Sequence, residues 1–359
     1  MKGKCYIQGA AAITPQHTFE GDLLSSPLVS GAGNMLSIVE PDYKAFIPAN
    51  SLRRMTRLLK MGLTTALKAI QDSQLSTPGA IVTGTGKGSL QDTERFIKDI
   101  RQYEEKALNP TPFIQSTYNA VNGMIAVQQQ VTTYNNTFVH RGFSFESALQ
   151  DSLLLLAEGV SHTLTGAFDE ISAEHFYIKS RIGHWKTATV NNAELYHHLS
   201  PGTISGEGAS FFVLAAAPTV NSYACIAGLK MLYKPSPATL TAALSAFLAE
   251  QQLTVDDIDL VLSGRNGDSN FEHYYTHMDA SWPSVPQLPF KHLCGEYETA
   301  GAFALWLGAH IIRAQQVPQQ WYPFQHSFPG RINRILLYNH FFGDQHVFIL
   351  LEHAVIPGA

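Results

Sequence analysis

At 359 residues the chain is long enough for one large domain or two fused ones. Hydrophobic residues at 45% and charged residues at only 15% exclude an intrinsically disordered chain, and a net charge of −5 with no basic run leaves no footprint for nucleic acid or an anionic membrane. Three cysteines (Cys5, Cys225 and Cys294) are too few for a disulfide framework and fit a reducing cytoplasm.

The chain opens on two lysines and a short apolar stretch interrupted by Gln8, which reads as a first strand over 5–14 rather than a signal peptide. Residues 52–71 place Met55, Leu58, Leu59, Leu63, Ala66, Leu67 and Ile70 on one helical face. A short apolar run closed by glycines at 80–86 reads as a buried strand ending in a loop. An apolar helix is expected over 146–158, a core strand over 161–168, and another strand over 210–217 after the turn SGEG. Beyond Pro218 the alternation repeats: strand 223–229, helix 237–252, strand 259–263, helix 299–315, and strands 334–338 and 346–352. Such alternation predicts a layered α/β fold, with one half at 1–218 and a second at 219–359. The loops around 15–50, 183–203 and 316–332 are candidate insertions or surface caps. No run reaches the ~18 apolar residues of a membrane helix, so no membrane insertion is expected.

Two patterns invite other chemistry and fail on spacing. GTGKGS at 84–89 has Ile81 where a phosphate loop needs glycine and Gly88 where it needs Ser or Thr. His273 and His277 have the i, i+4 spacing of a zinc pair but no evident third ligand, and His197-His198 reads as a solvated loop pair. Neither metal nor cofactor is expected.

A further set of residues carries a family likeness. Asn109-Pro110-Thr111-Pro112-Phe113, Gln115-Ser116-Thr117 and Asn119 to Ala126 run close to the pattern S-P-x-x-F-x-x-S-x-x-N-x-x-x-G-x-I-A, with Asn109 in place of its first serine. Upstream, Arg53-Arg54-Met55 reads as a helix start, and Gly84-Thr85-Gly86-x-Gly88 as a G-T-G-x-G loop. Downstream come Gly206-Glu207-Gly208-Ala209, then Lys291 and Gly295, then Asn339, Phe341, Phe342 and Gly343. Gly206, Gly208 and Gly295 fall at strand–loop junctions, where positive φ or close backbone approach is often required. In this order the chain resembles the β-ketoacyl-ACP synthases. The resemblance implies a thiolase-like fold, with two similar β/α halves in a five-layer αβαβα arrangement, normally as a dimer.

The same resemblance implies a catalytic cysteine at a helix N-terminus and two histidines. Those positions read Gly142, Ser263 and Glu296, with Lys291 retained and able to pair with Glu296. Without a thiol the chain cannot hold an acyl group as a thioester. Ser144 and Cys294 are the alternative nucleophiles; Ser144 has no adjacent base in sequence, and Cys294 is not expected at a helix N-terminus. By resemblance, Phe113, Ile114 and Tyr118 lie near the subunit contact and border an acyl tunnel, and Phe342 matches a gating phenylalanine.

The expected function is therefore that of a non-catalytic, chain-length-factor-type subunit. It would pair as a heterodimer with an active ketosynthase, shape the acyl tunnel and work with an acyl carrier protein. The length and the C-G-E-Y-x-T stretch at 294–299 resemble ketosynthase-like proteins of aryl polyene or flexirubin pigment biosynthesis; polyketide-type or fatty-acid-type synthesis is the wider setting. An active acyltransferase with a rewired site and a carrier-protein-binding scaffold, including a homodimer, are the alternatives.

Overall fold

The computed structural model describes residues 4–20, 25–322, 328 and 330–355. Ten strands form one sheet. The first five are β1 (Cys5–Ile13), β2 (Ala80–Gly84), β3 (Tyr134–Phe138), β4 (His162–Asp169) and β5 (Gly208–Ala215). The second five are β6 (Ala224–Tyr233), β7 (Leu260–Ser263), β8 (Gln287–Pro289), β9 (Arg334–Phe341) and β10 (Gln345–Glu352). Their order is β3-β2-β4-β5-β1-β6-β10-β9-β7-β8. Read outward from the β1–β6 junction, the two sides follow the same plan. In each, the hairpin-like pairs are antiparallel and the outer three strands parallel. The halves meet over only three residues on each side, Cys5–Ile7 against Ala224–Ile226.

The helices are α1 (Ala49–Leu52), α2 (Arg57–Ser73), α3 (Leu90–Tyr103), α4 (Pro110–Gln115), α5 (Ala120–Gln129), α6 (Ser144–Ala157), α7 (Ala173–Arg181), α8 (Pro237–Glu250), α9 (Glu272–Asp279), α10 (Lys291–Cys294) and α11 (Ala300–Ala314). Helices α6 and α11 touch strands of both sheet halves and lie between them. That position explains α11, whose residues Ala300–Ala309 are apolar all round and buried, with only the last turn at Arg313 and Ala314 exposed. Outside, α2 and α5 cover the first half, through Leu58, Leu63, Ala66 and Ile125. Helices α8 and α9 cover the second, through Leu244, Phe247, Tyr275 and Met278. The outcome is the five-layer thiolase-like fold expected from the sequence. The start of α8 is set locally: Pro237 fits the first turn, and the Ser236 hydroxyl accepts from Thr239 N at 3.2 Å.

One expectation needs correction. Arg53-Arg54-Met55 does not open a helix; these residues form the turn between α1 and α2, and the long helix starts at Arg57. Arg57 is held there by Glu207, which takes its guanidinium at 2.5 and 2.7 Å. The edge strands β3 and β8 have no sequence signature: β3 is the polar, half-exposed YNNTF, and β8 is three residues long. Of the loops expected around 15–50 and 316–332, residues 21–24, 323–327 and 329 lie outside the described residues. Among the described residues no helix is long and apolar enough to cross a membrane.

Candidate functional site

The first site position is the turn at the head of α6. Arg141 adopts a positive φ of 53°, and Gly142 follows it into the helix. The Gly142 N–H donates to Gln345 Oε1 at 2.8 Å, while Gln345 Nε2 donates to His140 O at 3.0 Å. One carboxamide at the start of β10 thus grips both ends of the turn. A Cβ on residue 142 would stand 2.2 Å from Phe341 Cβ, so no side chain fits as the backbone lies. The positive end of α6 is the natural place to activate a thiol. Here it carries none, and its inward N–H is already used. Ser144 closes the turn instead, donating to Arg141 O and accepting from His140 N, each at 2.8 Å. No imidazole reaches its hydroxyl.

The second and third positions meet at the ends of β7 and α10. Lys291 Nζ donates to Glu296 Oε1 at 2.6 Å with side-chain exposures of 0% and 1%, so the pair is fully withdrawn from water. Asn266 Nδ2 donates to the other oxygen, Oε2, at 2.8 Å. Burial raises the Glu296 carboxyl above its ordinary range, and Lys291 and Asn266 oppose that shift. Ser263 is buried, and its hydroxyl accepts from Arg265 N at 3.3 Å. Both oxygens of this carboxyl already accept from Lys291 and Asn266, so it stands here as an acceptor and not as a donor aimed at an enolate or oxyanion. The backbone explains why the glycines are there. Gly206 and Gly295 press against each other, and a Cβ on Gly206 would stand 1.8 Å from Cys294 O. Gly295 also takes a φ of 73°.

Cys294 ends α10 rather than starting a helix, and burial pushes its thiol up, away from thiolate. Its Sγ donates to Gly295 O at 3.3 Å. The two alternative nucleophiles are therefore both embedded in backbone hydrogen bonding.

Beside the Lys291–Glu296 pair lies a narrow cleft, with room for about 20 Å³, lined by Glu296, Phe341, Phe342, Lys87, His175 and His184, among others. Lys87, from the GTGKG loop, pairs with Glu298. Burial works against the Glu298 charge, but Lys87 holds that carboxyl below its ordinary range. The N–H groups of Gly86 and Lys87 point at Asp169 Oδ1, at 2.8 and 3.3 Å. The loop that resembled a phosphate cradle is thus closed on a protein carboxylate. Burial lowers both His175 and His184 to about 4, so both rings are neutral. Phe342, at φ 46°, stacks on His184 with ring centroids 4.2 Å apart and seals one side.

Deeper in the central layer, Glu146 in the first turn of α6 is buried against Gly301. Its Oε2 has no hydrogen-bond partner, and burial raises the carboxyl to about 8. Phe113, Ile114 and Tyr118, on and after α4, are 56%, 63% and 51% exposed, and Tyr118 packs against Gly88 of the GTGKG loop. His277 bonds Thr241 Oγ1 at 2.9 Å, and among the described residues no cluster of three potential metal ligands occurs. Sequence reasoning missed Gln345, Phe341 as the ring against Gly142, Asn266 and the Lys87–Glu298 pair. Only Lys87 had a local signal, as a charge inside a glycine-rich loop.

Residues 34–189 match the family model described as Beta-ketoacyl synthase, N-terminal domain. No curated protein matches the chain in sequence. Among solved structures, the ishigamide ketosynthase/chain length factor superposes with a TM-score of 0.80 at 14% identity, covering 99% of this chain and 100% of that one. A chain from the complex of a ketosynthase (ApeO) with its chain length factor (ApeC) from Xenorhabdus doucetiae gives 0.75 at 14% identity, over 98% of each chain. A chain from AntDE:AntF, a type II PKS acyl-carrier protein in complex with its ketosynthase, gives 0.74 at 15% identity, over 99% of this chain and 100% of that one. The chain is therefore ketosynthase-like in fold along its whole length, and its residues 34–189 are similar to the N-terminal domain of the β-ketoacyl synthases.

Proposed function

We propose that this chain is a non-catalytic ketosynthase-like subunit of chain-length-factor type. It pairs with an active β-ketoacyl-ACP synthase in polyketide, aryl polyene or fatty-acid-type biosynthesis and shapes the tunnel for a carrier-bound acyl chain. The observation that carries the reading is the closed head of α6. Residue 142 has no thiol, no room for one beside Phe341, and its N–H is taken by Gln345. The buried Lys291–Glu296–Asn266 group supports it by replacing a proton-donating imidazole with an acceptor that is already saturated.

The reading puts the pairing surface on α4, α5 and β3, whose Phe113, Ile114, Tyr118, Val127 and Tyr134 are each exposed. Exposed large apolar groups of this kind mark interaction surfaces when they are contiguous. The edge strand β3 adds unpaired backbone groups on the same side. In the two heterologous complexes above, the partners are a chain length factor and a carrier protein; the same classes of partner fit this chain. Division into halves at 218/219 and a cytoplasmic setting, with all three cysteines free, belong to the same reading.

The test is intact-mass analysis after incubation with acyl-loaded carrier protein, alone and with a co-expressed ketosynthase. The expected result is no adduct on this chain and acylation of the partner. A stable adduct on this chain alone overturns the proposal in favour of a rewired acyltransferase using Ser144 or Cys294. A tight homodimer that recruits carrier protein without any ketosynthase favours the scaffold alternative.

A further inference from the structure

Lys186 stands outside the cleft and, among the described residues, forms no ion pair, although it is buried. Its Nζ faces four oxygens: His198 O at 2.8 Å, Gly267 O at 2.8 Å, Ser200 Oγ at 3.0 Å and Ser200 O at 3.2 Å. An ammonium has three protons, so it cannot aim one at each. The arrangement is closer to a coordination shell than to a set of matched donor–acceptor pairs. Burial works against the lysine charge, and the nearby Asp268 carboxylate opposes that effect. Asp268 itself is occupied by the N–H groups of Gly202 and Asn270, each at 3.0 Å.

The shell is assembled by contacts that do not involve the Lys186 side chain. Ser269 N donates to Ser200 O at 3.0 Å, and Thr203 Oγ1 donates to Asn266 O at 2.6 Å. Ser200 and Asp268 also form an isolated β-bridge. Two loops from opposite halves of the chain thus present three carbonyls and a hydroxyl to one point.

We propose that this junction is a monovalent-cation site of the carbonyl type, occupied by the protein's own Lys186 ammonium, which accepts potassium or free ammonium when that side chain is removed. Carbonyl oxygens that replace a hydration shell are how proteins hold potassium. A shell spaced for an ammonium fits the similarly sized potassium ion and is too wide for lithium. Magnesium keeps its waters and demands an octahedron, so it is excluded. Lys186 is a positioning residue in this scheme: Gly267 follows Asn266, whose amide feeds Glu296.

The test compares the full-length wild type with K186A and K186M in potassium, ammonium, sodium, lithium and choline chlorides at equal ionic strength. Wild type is expected to melt at one temperature in all five. K186A melts lower in lithium and choline chlorides and recovers with rising potassium or ammonium, as mass action requires of a ligand bound only by the folded state. K186M, whose chain fills the space without charge, melts lower in every salt and does not recover. Thallium(I), a potassium probe, stays with K186A through gel filtration and passes by the wild type, as read by elemental mass spectrometry. Equal melting of K186A in potassium and lithium chlorides overturns the proposal, as does failure to retain thallium. So does failure of K186A to fold in potassium-rich cells, where the site would load during synthesis.

Discussion

Gln345 holds Gly142 from 203 positions away in the chain, accepting its N–H at 2.8 Å while donating to His140 O at 3.0 Å. The head of α6 is thereby satisfied by a side-chain amide at the point where a reacting oxygen would need a donor. Restoring a thiol alone will not restore chemistry. G142C is expected to lose about 1–3 kcal/mol through overpacking against Phe341. It is also expected to remain unloaded by acyl-carrier protein, as checked by urea unfolding and intact mass. Wild-type stability together with rapid acyl loading would show that the turn opens freely.

The Lys291–Glu296 pair makes a separate prediction. Removing one partner strands a buried charge, so E296L or K291M alone should cost about 3–5 kcal/mol. Replacing both together should cost far less, because the desolvation penalty leaves with the pair. A double-mutant cycle from urea midpoints reads the difference. Additive losses would mean that the two side chains do not act as a unit.

Glu146 sets a pH dependence whose sign is opposite to that of a salt-bridged acid. Its folded-state value of about 8 lies above the ordinary 4.5, so the folded protein keeps a proton that the unfolded chain releases. Between those values each pH unit of rise removes up to about 1.4 kcal/mol of stability through this group. E146Q should match wild type near pH 5 and become progressively more stable by comparison up to pH 8. Parallel stability curves for the two proteins would place an ionised, partnered Glu146 in the fold.

The thiols should be silent. Cys5, Cys225 and Cys294 are free and buried, and burial pushes each up from its ordinary value. Native protein is expected to resist iodoacetamide near neutral pH, with all three modified after unfolding. Fast native alkylation at Cys294 would revive the rewired-acyltransferase reading.

Pairing should depend on the exposed face. F113D combined with I114D changes groups that are more than half exposed, so melting should move little. Co-purification with a ketosynthase, followed by light scattering after gel filtration, should show the pair lost. Retained pairing would move the subunit contact elsewhere.

Much of this architecture was legible because it is written in short-range patterns. The apolar runs at 80–86, 161–168 and 346–352 became buried strands, and the helix expected over 299–315 appeared as Ala300–Ala314. Gly206 and Gly295 were readable as points of close approach because only a missing Cβ avoids a collision with the facing backbone, at 1.8 Å for Gly206 and 2.4 Å for Gly295. The Lys291–Glu296 contact was readable too, its members being five residues apart. What could not be read joins distant segments. Nothing near Gln345 announces a partner at 142, and Asn266 reaches Glu296 only after β7 and α10 have been placed. Strands β3 and β8 escaped because edge strands bury little and therefore need little hydrophobic pattern. Arg53–Met55 misled because the same residues suit a turn that leads into a helix as well as the helix itself.

The residues that shut the head of α6 sit on one corner, with Phe341 ending β9 and Gln345 beginning β10, while the residue they cover sits on another element. Any lineage descending from this chain meets a one-way door. Gly142 to cysteine collides with Phe341 Cβ, an atom that every residue but glycine keeps, and shortening Phe341 alone leaves an empty space beside a residue that still has no sulfur. Because each step is harmful or idle without the other, the path back to a loaded thioester runs through paired changes. Selection on single substitutions will instead keep refining the closed form.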